Sequence, residues 1–270
     1  MAKYKKKRAR ELQHDRFRDT TMNFFDSLGN LLEGRGRTIL YTLGGILLAG
    51  LVVLIFVKWS NRKSDEARQA LGRAITISQA QITTTPAPGS TEPTFTSEKD
   101  RAQRAIAEFE KVAAKYGDPY RSESRYFIAS NRLSVDRQKG MSELAELGNS
   151  RVAEVGPLSK FALAQAYESD GKLQEASQLY SELAKLNSAS IPAETANLRL
   201  AKIYEKQGKK KEAADLLFNI VDASRKAKDR DNNPLPPSEA AREAADELKK
   251  LDPERYAQLP PEPSASSLIG

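Results

Sequence analysis

The side chains best suited to covalent chemistry are almost missing from this 270-residue sequence, which has no cysteine and one histidine, His14. Thiolate nucleophiles, disulfides and cysteine metal sites are therefore excluded. No imidazole outside the N-terminal stretch can serve as a general base. His14 itself lies among charged residues and is expected on a solvated helix face. Neither a G-x-G-x-x-G loop nor a Walker-type loop occurs. The 36 Asp and Glu residues lie at helix-surface spacing beside Lys and Arg, the pattern of a solvated face rather than a paired-carboxylate site. The expectation is a protein without catalytic, cofactor or metal residues, and not an enzyme.

What remains is non-covalent recognition. The polar residues best placed for it are Gln165, Glu168 and Ser169 on one segment and Arg199, Lys202, Glu205 and Lys206 on another. These two segments match each other at a period of 37. LAQAYESDGKLQEASQLYSEL begins at Leu163, and LAKIYEKQGKKKEAADLLFNI begins at Leu200. At that offset Leu163 meets Leu200, Ala164 meets Ala201, Tyr167 meets Tyr204 and Gly171 meets Gly208. Ala176 meets Ala213, and Tyr180 meets Leu217. A period in this range marks stacked helical hairpins. Leu and Ala form the inner side of a first helix, Tyr fills the space between repeats, and Gly takes the turn. The second Ala is a close-contact point on the second helix.

This pattern resembles the tetratricopeptide repeat, whose usual period is 34; the three extra residues fall in the turn around Ser188–Pro192. The resemblance implies a right-handed solenoid whose first helices line a groove, with Gln165, Glu168, Ser169, Arg199, Lys202, Glu205 and Lys206 facing it. It implies binding of other proteins. The Lys/Asn clamp that some such domains use for chaperone C-termini is absent, since Phe161 and Gln165 occupy its first positions.

Two repeats leave their end faces uncovered, so more helices are expected. AIAEFEKVAAKYGDP, from Ala105, fits a second helix with Ala105, Phe109 and Val112 on one stripe. Its first helix is predicted over Asp65–Ser78, and the second helix itself is expected to begin near Ser97, where Ser97-x-x-Asp100 approximates a capping box. Pro119–Leu133 and Met141–Leu147 are expected as a degenerate repeat turning around Gly140. Residues 83–97 are expected as a flexible Thr/Pro-rich insertion. A polar-faced capping helix is predicted over Ser238–Leu251, inside a linker-and-cap region of residues 231–252. Residues 253–270 are expected as a disordered tail.

Ahead of the repeat domain, residues 60–230, Thr38–Val57 is a run of twenty residues without charge. As a helix it is about 30 Å long, the thickness of a bilayer's hydrocarbon core. Residues 38–59 are therefore predicted as a transmembrane helix, with Tyr41 and Trp59 near its two ends. The fold class expected is all-α, a single N-terminal transmembrane helix followed by the helical-repeat solenoid. The run starts too late and lacks the cleavage pattern for a signal peptide. Residues 1–37 hold ten Lys/Arg against five Asp/Glu, and residues 60–270 hold 32 against 31. The basic charge thus belongs to a tail suited to anionic lipid, and nucleic acid is not an expected partner. Phe17, Thr21, Phe24, Phe25, Leu28, Leu31 and Leu32 give that tail an amphipathic helical pattern. Counting the whole tail places the N-terminus in the cytoplasm.

The layout of tail, span, SDEARQALGRAI and repeats resembles the YfgM-type ancillary subunits of the SecYEG translocon. That resemblance implies a bacterial inner-membrane protein with a periplasmic repeat domain. Its partners would be translocon subunits, periplasmic chaperones or emerging envelope proteins. The longer basic tail, the Thr/Pro insertion and the extended C-terminus depart from the family. A scaffold for cell-wall, division or pilus assembly, and a cytosol-facing receptor of reversed topology, are the alternatives.

Overall fold

The computed structural model describes residues 36–83 and 93–262. The chain divides into two compact units, residues 1–66 and 67–270. Helix α1 runs Gly36–Ser78. In the first unit, Leu48, Leu51, Val52 and Val53 on this helix are 66%, 58%, 55% and 59% exposed. Among the described residues no helix is long and apolar enough to cross a membrane. The sequence-predicted span, 38–59, lies within α1, and its side chains at 38–47, 49, 54–57 and 59 lie outside the described residues. The tail, 1–35, with His14 and the predicted amphipathic helix, also lies outside them.

The second unit begins within α1, whose Ala67, Leu71 and Ala74 are buried. After it come β1 (Gln81–Ile82), β2 (Thr94–Phe95), α2 (Glu98–Lys115), α3 (Tyr120–Arg132) and α4 (Arg137–Leu147). Then follow α5 (Val155–Ser169), α6 (Leu173–Leu186), α7 (Ala193–Lys206), α8 (Lys210–Lys226), α9 (Glu239–Leu251) and α10 (Pro253–Tyr256). From α2 onward each helix packs on the next, and α3 touches α5 and α7 touches α9, one hairpin apart. This is a stacked array of helical hairpins, with α2, α4, α6 and α8 as second helices.

One rule recurs in all four second helices. A small residue is followed one turn later by a large apolar one, at Ala105/Phe109, Gly140/Leu144, Ala176/Tyr180 and Ala213/Leu217, and each is buried. Residues four apart share a helix face. The small member lets the paired backbone approach, and the large one fills the space beyond it. Each such Leu, Phe or Tyr contributes about 2–3 kcal/mol by leaving water. The cores follow this order. Phe109 packs with Leu71, Ala74 and Ile128, Leu144 with Ala129 and Leu163, Tyr180 with Leu200 and Ile203, and Leu217 with Ala244 and Leu248.

The turns of the last two hairpins are copies of each other. Gly171 and Gly208 adopt φ of 71° and 75°, a region where an L side chain is strained. Lys172 N–H donates to Tyr167 O at 2.9 Å and Gly171 N–H to Glu168 O at 3.1 Å. The second copy has Lys209 to Tyr204 at 2.8 Å and Gly208 to Glu205 at 2.9 Å. Both are Schellman caps, which satisfy the last carbonyls of a helix. Lys172 and Lys209 then lie over the Tyr167 and Tyr204 rings, 5.6 and 5.3 Å from their centroids.

Three expectations are corrected here. The α3–α4 turn spans residues 133–136 and does not centre on Gly140, which lies inside α4. A Cβ at Gly140 would stand 2.8 Å from Leu133 N and 3.0 Å from Ala129 O. This glycine answers to space rather than to a turn. Next, the Thr/Pro insertion is anchored at its ends: Gln81 and Ile82 pair in parallel with Thr94 and Phe95, and residues 84–92 lie outside the description. Lastly, residues 253–262 are not a tail. Asp252 caps α10 by accepting from Arg255 N–H at 3.0 Å, and Leu259 is buried. Residues 263–270 lie outside the described residues. The cap predicted at Ser97 forms, accepting from Asp100 N–H at 3.1 Å. A cap of the same kind opens α9, where Ser238 accepts from Ala241 N–H at 3.0 Å.

Candidate protein-binding face

Helices α5 and α7 bury Leu163, Ala164, Leu200 and Ala201. With those positions turned inward, the helical period leaves Gln165, Ser169, Glu205 and Lys206 exposed and Glu168, Arg199 and Lys202 half-buried. Four of the seven join a charge ladder across the first helices. Lys206 Nζ lies 2.6 Å from Glu168 Oε1, linking α7 to α5. Lys202 pairs with Glu243, linking α7 to α9. Glu205 joins Lys202, Lys206 and Glu247 around a shallow concavity of about 450 Å³.

Exposed ion pairs of this kind contribute about 0–1 kcal/mol. The ladder therefore does little for stability, and its charges can be exchanged for a partner's at small cost. Glu168 is better held than the rest, because the Tyr180 hydroxyl donates to its other oxygen at 3.3 Å. Burial pushes the Tyr180 phenol well up from its usual range, and the Glu168 charge adds to the rise, while the Arg199 charge opposes it. Tyr180 thus stays a neutral donor at physiological pH, with its ring edge-on to Phe161 at 5.8 Å.

The structure separates Ser169 from this ladder. Arg137, at the start of α4, bonds Ser169, the Asp170 carboxylate at 2.7 Å and Ala166 O at 2.9 Å. Gln165 is exposed beside the ladder and is not one of its ion pairs. Arg199 contributes by its charge near Tyr180. Sequence reasoning missed Glu243, Glu247 and the Tyr180 hydroxyl. The signal for the glutamates was their spacing of four on a helix already expected to cap the array. Among the described residues no group of three or more His, Cys, Asp or Glu could hold a metal ion.

Hairpins with a small/large pair on each second helix, Schellman turns in two copies and stacked first helices define a tetratricopeptide-like repeat array. Among solved structures the chain is similar to a Podosopora anserina protein described as a kinesin light chain with nearly identical TPR-like repeats. Identity is 18% over 72% of this chain and 88% of that one, with a TM-score of 0.48. A Gln-to-Met form of the same protein gives 17% identity over the same shares and a TM-score of 0.49. No family model matches the chain, and no curated protein does.

Proposed function

We propose that this chain is a single-span membrane protein whose repeat array binds other proteins on the face of α5, α7 and α9, without catalytic activity. The observation that carries the reading is the ladder of Glu168, Lys206, Lys202 and Glu243 on an open face whose apolar residues are turned inward. Weak, exposed pairs are the kind a protein partner replaces with its own charges. The anchoring is supported by the uncharged run Thr38–Val57. It is supported too by the exposure of Leu48, Leu51, Val52 and Val53 on several sides of one helix, which is unfavourable in water.

The finer reading follows the resemblance to YfgM-type subunits. The basic tail is cytoplasmic and meets anionic lipid, and the repeats stand in the periplasm of a bacterial inner membrane. There they are ancillary to the Sec translocon and contact periplasmic chaperones or emerging envelope proteins. Protease treatment of spheroplasts tests the topology. The repeat domain should be cut together with a periplasmic control. A repeat domain that survives while the control is cut overturns this orientation in favour of a cytosol-facing receptor. Copurification in mild detergent tests the partner. Recovery of translocon subunits, reduced by Lys206→Glu, is the expected result. Recovery of cell-wall, division or pilus proteins instead would replace it.

A further inference from the structure

Behind the first-helix face, at the C-terminal end of the array, a second recess opens between α8, α9 and residues 256–262. It encloses about 370 Å³, within the range of pockets that hold small ligands or single side chains. Its apolar wall is made by Val221, Leu235, Ala241 and Ala245. Leu235 is 42% exposed there, a large aliphatic side chain left partly in water. The mouth carries two arginines. Arg225 is half-buried and donates to Pro260 O, to the Tyr256 hydroxyl at 3.2 Å and to Glu262 Oε1 at 2.9 Å. Arg242 is exposed, and among the described residues it has no ion-pair partner. Asp246 is the other acid at the mouth.

Glu262 is the informative residue. Its carboxylate occupies the one position where a guanidinium and a phenol converge, yet its own side chain is 69% exposed. The Arg225 side chain is 10% exposed and fixed by its bond to Pro260 O, whereas the Glu262 side chain stands mostly in solvent, so another carboxylate can take its place on the same guanidinium. We infer that the recess is a second docking site, for an extended segment of a partner protein in which a carboxylate is followed by a leucine-sized side chain. The carboxylate replaces Glu262 on Arg225 and Tyr256, Arg242 adds a second cation, and the aliphatic side chain covers Leu235 and fills the cavity. Glu262 is then a built-in competitor that sets the affinity. With Glu262 displaced, the mouth holds two arginines against Asp246 alone, the right sign for an acidic segment. The site is independent of the first-helix face, and it stands or falls whatever that face binds.

The test uses the detergent-purified full chain and a fluorescein-labelled peptide, Ser-Pro-Glu-Leu-Leu-Ser, capped at both ends, read by anisotropy. Glu262→Ala should tighten binding about fivefold, as loss of a surface-pair competitor allows. Arg242→Ala should weaken it about fivefold, and the peptide with Gln in place of Glu should bind about tenfold less well. Ala245→Trp, which fills the cavity, should abolish binding, and unchanged helical signal keeps that result interpretable. Equal binding of the Glu and Gln peptides overturns the proposal. So does an affinity indifferent to both Glu262→Ala and Arg242→Ala, or no binding to Glu262→Ala at roughly millimolar peptide. Loss of binding in Lys206→Ala instead assigns the peptide to the first-helix face and equally overturns it.

Discussion

Two kinds of hairpin do the same packing job in this molecule. The α5–α6 and α7–α8 hairpins turn through a positive-φ glycine, Gly171 or Gly208, and cap their first helix in the Schellman manner. The α3–α4 hairpin has no positive-φ residue in its turn. Val135 and Asp136 N–H groups both return to Arg132 O, at 3.0 and 2.8 Å, and the Asp136 carboxylate caps α4 by accepting from Lys139 N–H at 3.2 Å. What the three share is the close-contact position on the second helix, Gly140, Ala176 or Ala213, with Leu144, Tyr180 or Leu217 one turn on. The turn is thus one of several local solutions. The small/large pair holds the repeat, because backbone approach and the volume behind it must match in every copy.

The two kinds of hairpin can be told apart by substitution at defined points. The largest effect belongs to the large member: Tyr180→Ala should cost about 4 kcal/mol and Leu144→Ala about 3 kcal/mol, read by denaturant unfolding of the detergent-purified chain. Equal small losses in both would mean that these positions do not carry the stack. Next comes the small member. Gly140→Ala drives a methyl into the Leu133 and Ala129 backbone and should cost about 2–3 kcal/mol, the range of overpacking. Gly171→Ala meets open space, so only its backbone angle resists, at about 1 kcal/mol. If the two glycine variants melt together, the distinction between a spatial and a conformational glycine fails.

The smallest effect concerns the connection between hairpins. The Glu154 carboxylate accepts from Ser190 N–H at 2.8 Å, and its hydrogen bonds with Ser190 hold it below the ordinary glutamate value of 4.5. A carboxyl with a depressed folded pKa contributes stability above its unfolded pKa and loses it as pH falls through the folded one. Protection of the Ser190 amide from hydrogen exchange should therefore fall from about pH 4.5 downward. Glu154→Gln should flatten that dependence; an unchanged profile would place the tie elsewhere.

Much of this was legible in the residues. The period of 37, the buried Leu/Ala pairs and both turn glycines follow from local pattern, because a helix face and a positive-φ turn are properties of a few neighbouring residues. Gly140 was misplaced because a glycine flanked by RQK and MSE carries the same composition as a turn. Its need is a contact with backbone seven to eleven residues earlier. The order in residues 253–262 was hidden for a related reason. A Pro-rich stretch lacks periodicity, and its attachment depends on Arg225, 35 residues before Pro260. On the candidate face, the lysines and Glu168 could be placed from the repeat. Glu243 could not, since α9 carries no second copy of the motif to align.

Composition alone removed thiol and metal–thiolate chemistry from this chain and pointed to non-covalent recognition, because those reactions need residues it does not contain. Short-range spacing alone determined which helix faces are apolar. Only the tertiary structure decided which charges meet: Lys206 with Glu168, Lys202 with Glu243, and Arg225 with Glu262. Such pairs join residues 37 to 41 positions apart in sequence. Their register is set by how buried small and large side chains interlock, which no local pattern encodes.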